Sequence, residues 1–218
     1  MNEHSLHSEI KRAYSLPGDV FEAKLDNYVV DILRGELAIE VQTKNFSAVK
    51  NKLQTLTKTH QVRLVYPLSE NKWITYTAKT NRTVDKRKSP RKGKLTDLFR
   101  ELIRIPEMLS NDNFSLEVLF IDEEEVRCDD RKGSWRRRGV SIKERRLVKV
   151  NDRLLFQNKS DYLRILPNSL SEVFTNKELA KSAQINVRAA REITYCLRES
   201  NLIRVVEKKG REHCFQKA

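Results

Sequence analysis

The sequence predicts an α/β fold with a central mixed sheet and a small C-terminal unit, and three features carry that expectation. Tyr28 to Thr43 (YVVDILRGELAIEVQT) reads as two apolar strands around the reversal Arg34-Gly35. Helix-like patterns flank this hairpin, His7 to Lys11 before it and Phe46 to Thr57 after it, and the apolar run Val62 to Tyr66 completes an αββαβ order. Beyond Pro167-Asn168-Ser169 the texture changes to short amphipathic segments, so the expected division is residues 1–166 and 167–218.

The first helical pattern carries Glu9, and the hairpin carries Asp31, Glu40 and Gln42 in otherwise apolar strands. Side chains alternate along a strand, so Glu40 and Gln42 face one way while Ile39 and Val41 face the other. A carboxylate buried without a partner is costly, which implies a cation, a proton or an open cleft beside Glu40. The hairpin brings Asp31 and Glu40 onto adjacent strands within reach of one ion, and Mg²⁺ needs only one or two protein carboxylates. The plainer reading places the same residues on the solvated face of an edge hairpin.

Asp31, eight intervening residues and then Glu40-Val41-Gln42 resemble the core of the PD-(D/E)xK nuclease superfamily, over roughly residues 1–68. The resemblance implies a restriction-endonuclease-like αββαβ core that hydrolyses DNA phosphodiester bonds, RNA not being excluded. It also implies Mg²⁺ or Mn²⁺ held by Asp31, Glu40, the Val41 carbonyl and Glu9. The superfamily's usual Lys is Gln42 here, and an amide cannot supply positive charge to the phosphate. In some branches that Lys comes from the following helix, where this chain has Lys50 and Lys52. His4 and His7 are candidate helpers, and a duplex cutter of this kind often pairs two active sites, which makes a homodimer compatible. The competing expectation is a catalytically inactive DNA-binding regulator or scaffold.

A net charge of +13 and a pI near 9.7 point to polyanionic partners, with nucleic acid first and a membrane surface as rival. No segment reaches the length of a membrane span, and MNEHSLHSEIK lacks a secretory pattern, so the expectation is a cytoplasmic protein without membrane association. Three distant cysteines, Cys128, Cys196 and Cys214, argue against a disulfide framework or structural zinc, with Cys196 on a helix's apolar side.

Lys79 to Lys94 holds eight basic residues against one acidic, and Arg131 to Lys149 nine against one. Both read as loops or edge hairpins offering Lys86, Arg87, Lys88, Arg91, Arg136, Arg137 and Arg138 to phosphates. Trp135, among those arginines, is read either as a stacking wedge or as an anchor that packs its loop down. Leu95 to Leu109 has the pattern of an amphipathic helix, Phe114 to Ile121 that of a strand, and Arg153 to Phe156 and Tyr162 to Leu166 those of short strands. Asp122 to Glu125 reads as a solvated cap.

Past residue 166, helical patterns at Leu170 to Phe174, Asn176 to Ala183 and Val187 to Ser200 precede a strand-turn-strand around Lys208-Lys209-Gly210-Arg211. Thr175 with Glu178 makes a capping box, and Asn186 caps the next helix. The expected core is Leu179, Ala180, Ala190, Ile193, Leu197 and Leu202. This passage resembles a winged helix-turn-helix domain. That resemblance implies that Val187, Arg188, Arg191 and Tyr195 face DNA, with Lys208, Lys209 and Arg211 on the wing.

Overall fold

The structure, a computed structural model, describes residues 5–77 and 83–218. His4, Lys79 and Arg82 lie outside them. Helix α1 (Ser5–Tyr14) leads into strands β1 (Val20–Leu25), β2 (Tyr28–Arg34) and β3 (Leu37–Val41). A 3-10 turn (Phe46–Ala48) and α2 (Lys50–Leu56) then cross to β4 (Gln61–Thr77). Next come β5 (Thr83–Lys88), α3 (Phe99–Leu102), β6 (Phe114–Asp129) and β7 (Val140–Phe156). Among the described residues no helix is long and apolar enough to cross a membrane.

These strands form one mixed sheet ordered β1-β2-β3-β4-β6-β7, with β5 paired to an outer part of β4. The β3–β4 and β4–β6 pairs are parallel, and the others are antiparallel. The mixed α/β architecture expected from the sequence is present, with one strand, β1, beyond the expected αββαβ order. Gly35 opens the two-residue β2–β3 turn with φ +57°, a conformation that glycine adopts without steric cost.

Apolar side chains cover both faces of the sheet. On one, Leu6, Ile10 and Tyr14 of α1 pack on Ile32, Ile39, Val41, Val65, Leu119 and Ile121. On the other, Phe46 and Leu53 join Leu98, Phe99 and Leu102 in a larger core that continues into the C-terminal unit through Ile193 and Leu197. The C-terminal end of α1 is anchored by Tyr14, whose hydroxyl donates to the buried Glu117 carboxylate while its ring lies under Arg34 at 5.2 Å and Arg153 at 5.3 Å.

The C-terminal unit holds β8 (Val173–Thr175), α4 (Asn176–Ser182), α5 (Val187–Glu199), β9 (Ile203–Lys209) and β10 (Glu212–Lys217), with the three strands in a separate sheet ordered β8-β10-β9. Thr175 and Glu178 form the expected capping box, and Asn186 accepts the Ala189 amide at 2.8 Å. All six expected core residues are buried, as are the three cysteines, which are free thiols.

Several elements differ from expectation, each for a local reason. Leu95 to Leu109 is broken into a 3-10 turn, α3 and a second 3-10 turn that starts at Pro106, which cannot donate to a continuing helix. Tyr162 to Leu166 is not a strand, because Asp161 accepts the Gln157 and Asn158 amides and closes a 3-10 helix that stacks Tyr162 on Phe156 at 4.8 Å. Leu170 to Phe174 is a turn running into β8, whose Phe174 pairs with Phe215. The expected strands at 62–66 and 114–121 extend to Thr77 and Asp129, which puts Asp122 to Glu125 inside β6, with Glu123 and Glu125 buried.

Because α1 docks through a few buried side chains, Ile10→Ala should lower unfolding stability by about 2–4 kcal/mol, read from urea denaturation midpoints. A loss below about 0.5 kcal/mol would show that the helix does not dock as described.

Candidate active site

Asp31 sits where β2 changes face. Val30 packs into the α2-side core and Ile32 into the α1-side core, although a regular strand would send both the same way. The β1–β2 register pairs Ala23 with Val30 and Phe21 with Ile32 and skips Glu22, whose φ of +49° is strained for a residue with a side chain. The β2–β3 ladder ends at Ile32 and Ile39, and the next free amide on β3, Val41 N–H, donates to Asp31 Oδ2 at 2.8 Å. A carboxylate thus fills the place of a ladder carbonyl.

Helix α1 supplies the hydrogen-bond donors and the ammonium group around it. His7 Nε2 lies 3.1 Å from Asp31 Oδ2 and 2.9 Å from the Val41 carbonyl oxygen. The carbonyl only accepts, so Nε2 carries a proton and donates to it. Lys11 Nζ lies 3.4 Å from Asp31 Oδ1 and donates to Glu22. Burial alone would raise the Asp31 carboxyl, but the His7 and Val41 hydrogen bonds and the nearby cations hold it below the usual carboxylate range.

Glu40, on β3, is 8% exposed and receives Lys52 Nζ from α2, which also donates to the Val29 carbonyl at 2.7 Å. Burial and then the charge on Asp31 push the Glu40 carboxyl up to about 7, with Lys52 opposing them. The two carboxylates therefore sense each other, as members of a shared site do.

The sequence-predicted residues divide between this site and other places. Asp31, Glu40, the Val41 carbonyl and Lys52 come together. Glu9 does not join them and instead accepts the Leu147 amide of β7. Lys50 pairs with Glu107 at 3.0 Å. The Gln42 side chain folds back onto the carbonyls of Lys44 and Asn45, at 2.6 and 3.1 Å, where Asn45 is left-handed. Lys11 was missed by sequence reasoning and His7 was ranked only as a helper, although their i,i+4 spacing places both on one helix face, half a turn away from Glu9. Among the described residues no three His, Cys, Asp or Glu side chains are placed to hold a metal ion. The oxygen donors present are two carboxylates and one carbonyl.

The basic residues expected to meet nucleic acid are exposed. Lys86, Arg87 and Lys88 lie on β5, with Lys86 2.9 Å from Glu124 and Lys88 over the Trp73 ring at 5.4 Å. Arg136, Arg137 and Arg138 sit at the tip of the β6–β7 hairpin beside Trp135, which is 83% exposed and so anchors nothing. On α5, Arg188 pairs with Glu192 at 3.1 Å, while Arg191 and Tyr195 face solvent. Lys208, Lys209 and Arg211 crowd the β9–β10 turn.

A family model described as "Domain of unknown function (DUF8091)" matches residues 4–157, from α1 to the residue after β7. A protein of Treponema pallidum (strain Nichols), described as uncharacterized, is 30% identical over 217 residues, 99% of this chain and 85% of the relative. No solved structure matches the chain.

Glu40 makes the site sensitive to pH. An unfolded carboxyl ionises near 4.5 and the folded one near 7, so between those values the folded state holds the extra proton and stability falls as pH rises. Without divalent cations, the wild type should lose on the order of 3 kcal/mol between pH 4.5 and 7.5 from this group. Urea titrations should show that component removed in Glu40→Gln. An unchanged slope would mean that Glu40 titrates normally.

Proposed function

We propose that this chain, which belongs to the DUF8091 family, is a metal-dependent nuclease that hydrolyses phosphodiester bonds in DNA. The observation that carries the reading is the pair of buried carboxylates on adjacent strands, Asp31 beside Val41 and Glu40 under Lys52. The crossing from β3 through α2 to a parallel β4 supports the resemblance to a PD-(D/E)xK core. Lys52 arrives from the helix that can replace the missing strand Lys.

Asp31, Glu40 and the Val41 carbonyl form a hard oxygen set suited to Mg²⁺ or Mn²⁺. Bound there, the ion would supply Lewis-acid stabilisation of charge on the phosphate and acidify a water. Lys52, held between Glu40 and the Val29 carbonyl, directs a positive charge at the same place and stabilises a crowded phosphate as negative charge builds. His7 holds a proton between Asp31 and the Val41 carbonyl and covers the donors that the ion would take. Glu9 is left out of the ligand set, because its carboxylate is committed to β7.

DNA engagement follows from exposed charge. Helices α4 and α5 with the β9–β10 hairpin support the winged helix-turn-helix reading, with Arg188 and Arg191 nearest the bases and Lys208, Lys209 and Arg211 on phosphates. Trp135, exposed among arginines, would stack on an unpaired base. The second reading, a DNA-binding regulator that does not cut, is favoured by one specific observation: Gln42 is turned away from the acid pair.

Plasmid nicking with Mg²⁺ or Mn²⁺ separates the two. Asp31→Asn and Glu40→Gln should each lower the rate by roughly 10²-fold or more at unchanged DNA affinity, and Lys52→Met by a comparable factor. Wild type that binds single-stranded, duplex and branched DNA and cuts none of them would leave only the regulator.

A further inference from the structure

A cavity of about 410 Å³ opens along β4, and nothing in the proposed cleavage uses it. Its wall includes Leu6, next in sequence to His7, and Thr43, which follows β3. The volume lies in the range that holds small ligands. One side is apolar, built by Tyr66, Pro67, Leu68 and Ile74 of β4. Burial pushes the Tyr66 phenol up to about 12, so the ring stays neutral at ordinary pH.

The other side is cationic. Lys72, Arg91, Arg100, Arg127 and Arg145 line it against Asp97, Glu101 and Glu123, so cations outnumber carboxylates among the described lining residues. Three of the cations are fixed by buried carboxylates. Lys72 lies 2.6 Å from Glu123 and 3.5 Å from Glu125, Arg127 lies 2.5 Å from Glu125, and Arg145 lies 3.3 Å from Glu125. Such pairs are expensive to bury.

The loop that carries Arg91 is tied down at both ends. The Ser89 amide donates to the Lys72 carbonyl at 2.7 Å, and the Gly93 amide to the Ser69 carbonyl at 2.8 Å. A Cβ at Gly93 would lie 2.7 Å from that Ser69 oxygen, so only glycine permits the approach. Arg91 and Arg100 are exposed at the rim and have no ion-pair partner among the described residues.

We propose that this cavity is a nucleotide site, which binds a phosphomonoester on its cationic wall and a base against Tyr66 and its apolar neighbours. The phosphomonoester is carried by the terminal nucleotide of a strand or by a free nucleoside monophosphate. A cavity lined by preorganised, charge-assisted donors beside a stacking ring suits that chemistry. The proposal goes beyond the cleavage reading and does not need it, since binding here uses neither Asp31 nor Glu40.

Fluorescence anisotropy in EDTA tests it without any cleavage. Labelled single-stranded oligonucleotides with and without a terminal phosphate are compared, and AMP and adenosine serve as competitors. The phosphorylated strand should bind at least about ten-fold more tightly, or AMP should compete at least about ten-fold better than adenosine. The first result assigns the cavity to strand ends and the second to free nucleotides. Lys72→Met would strand buried carboxylates, so the informative variant is the rim pair Arg91→Glu with Arg100→Glu, its folding checked by thermal melting. That variant should lose the phosphate-dependent increment. Equal binding with and without phosphate, or an increment that survives the double charge reversal in a folded protein, would overturn the proposal.

Discussion

Two carboxylates held next to each other in an apolar sheet are the constraint around which the N-terminal half is built. Asp31 and Glu40 are each 8% exposed and cannot both stay ionised without compensation. The fold meets that demand from both faces. Helix α1 brings His7 and Lys11 to Asp31, and α2 brings Lys52 to Glu40. A site built only for stability would sooner use hydrophobic residues of similar volume, because paired buried charges rarely exceed their desolvation cost. A buried acid pair with a raised Glu40 is consistent with the proposed divalent-cation site.

Geometry at the sheet follows from the same constraint. The strained Glu22, the unpaired step at Asp31 and the early end of the β2–β3 ladder all lie around one carboxylate. Anchoring of α1 through Tyr14, Arg34 and Glu117 matters because that helix sets where His7 and Lys11 arrive. The cavity along the middle of β4 gathers basic side chains against the same sheet.

Much of this was legible in the sequence, and the failures have physical causes. The hairpin and its two acids could be read from strand alternation, whereas a lysine on the following helix, Lys50 or Lys52, came from the resemblance. The caps at Thr175 and Asn186 could be read because they are local hydrogen-bond patterns. Glu9 was drawn into the site by resemblance, while the angular positions around α1 favour His7 and Lys11. The acidic run in β6 looked like a solvated cap because its partners lie elsewhere in sequence: Lys72 across a parallel ladder and Arg145 across a hairpin. Long-range pairing of this kind leaves no periodic trace. Tyr162 was read as strand because its propensity is β-like, whereas the Asp161 cap decides the local backbone.

The central claim is that Asp31, Glu40 and the Val41 carbonyl form one divalent-cation site that His7 covers. Its most direct test is paramagnetic line broadening of the histidine side-chain resonances during titration with Mn²⁺. The His7 imidazole should broaden at substoichiometric Mn²⁺, well before His60 and His213, and Glu40→Gln should abolish this selectivity. Broadening of all three histidines together, or none at His7, would contradict it.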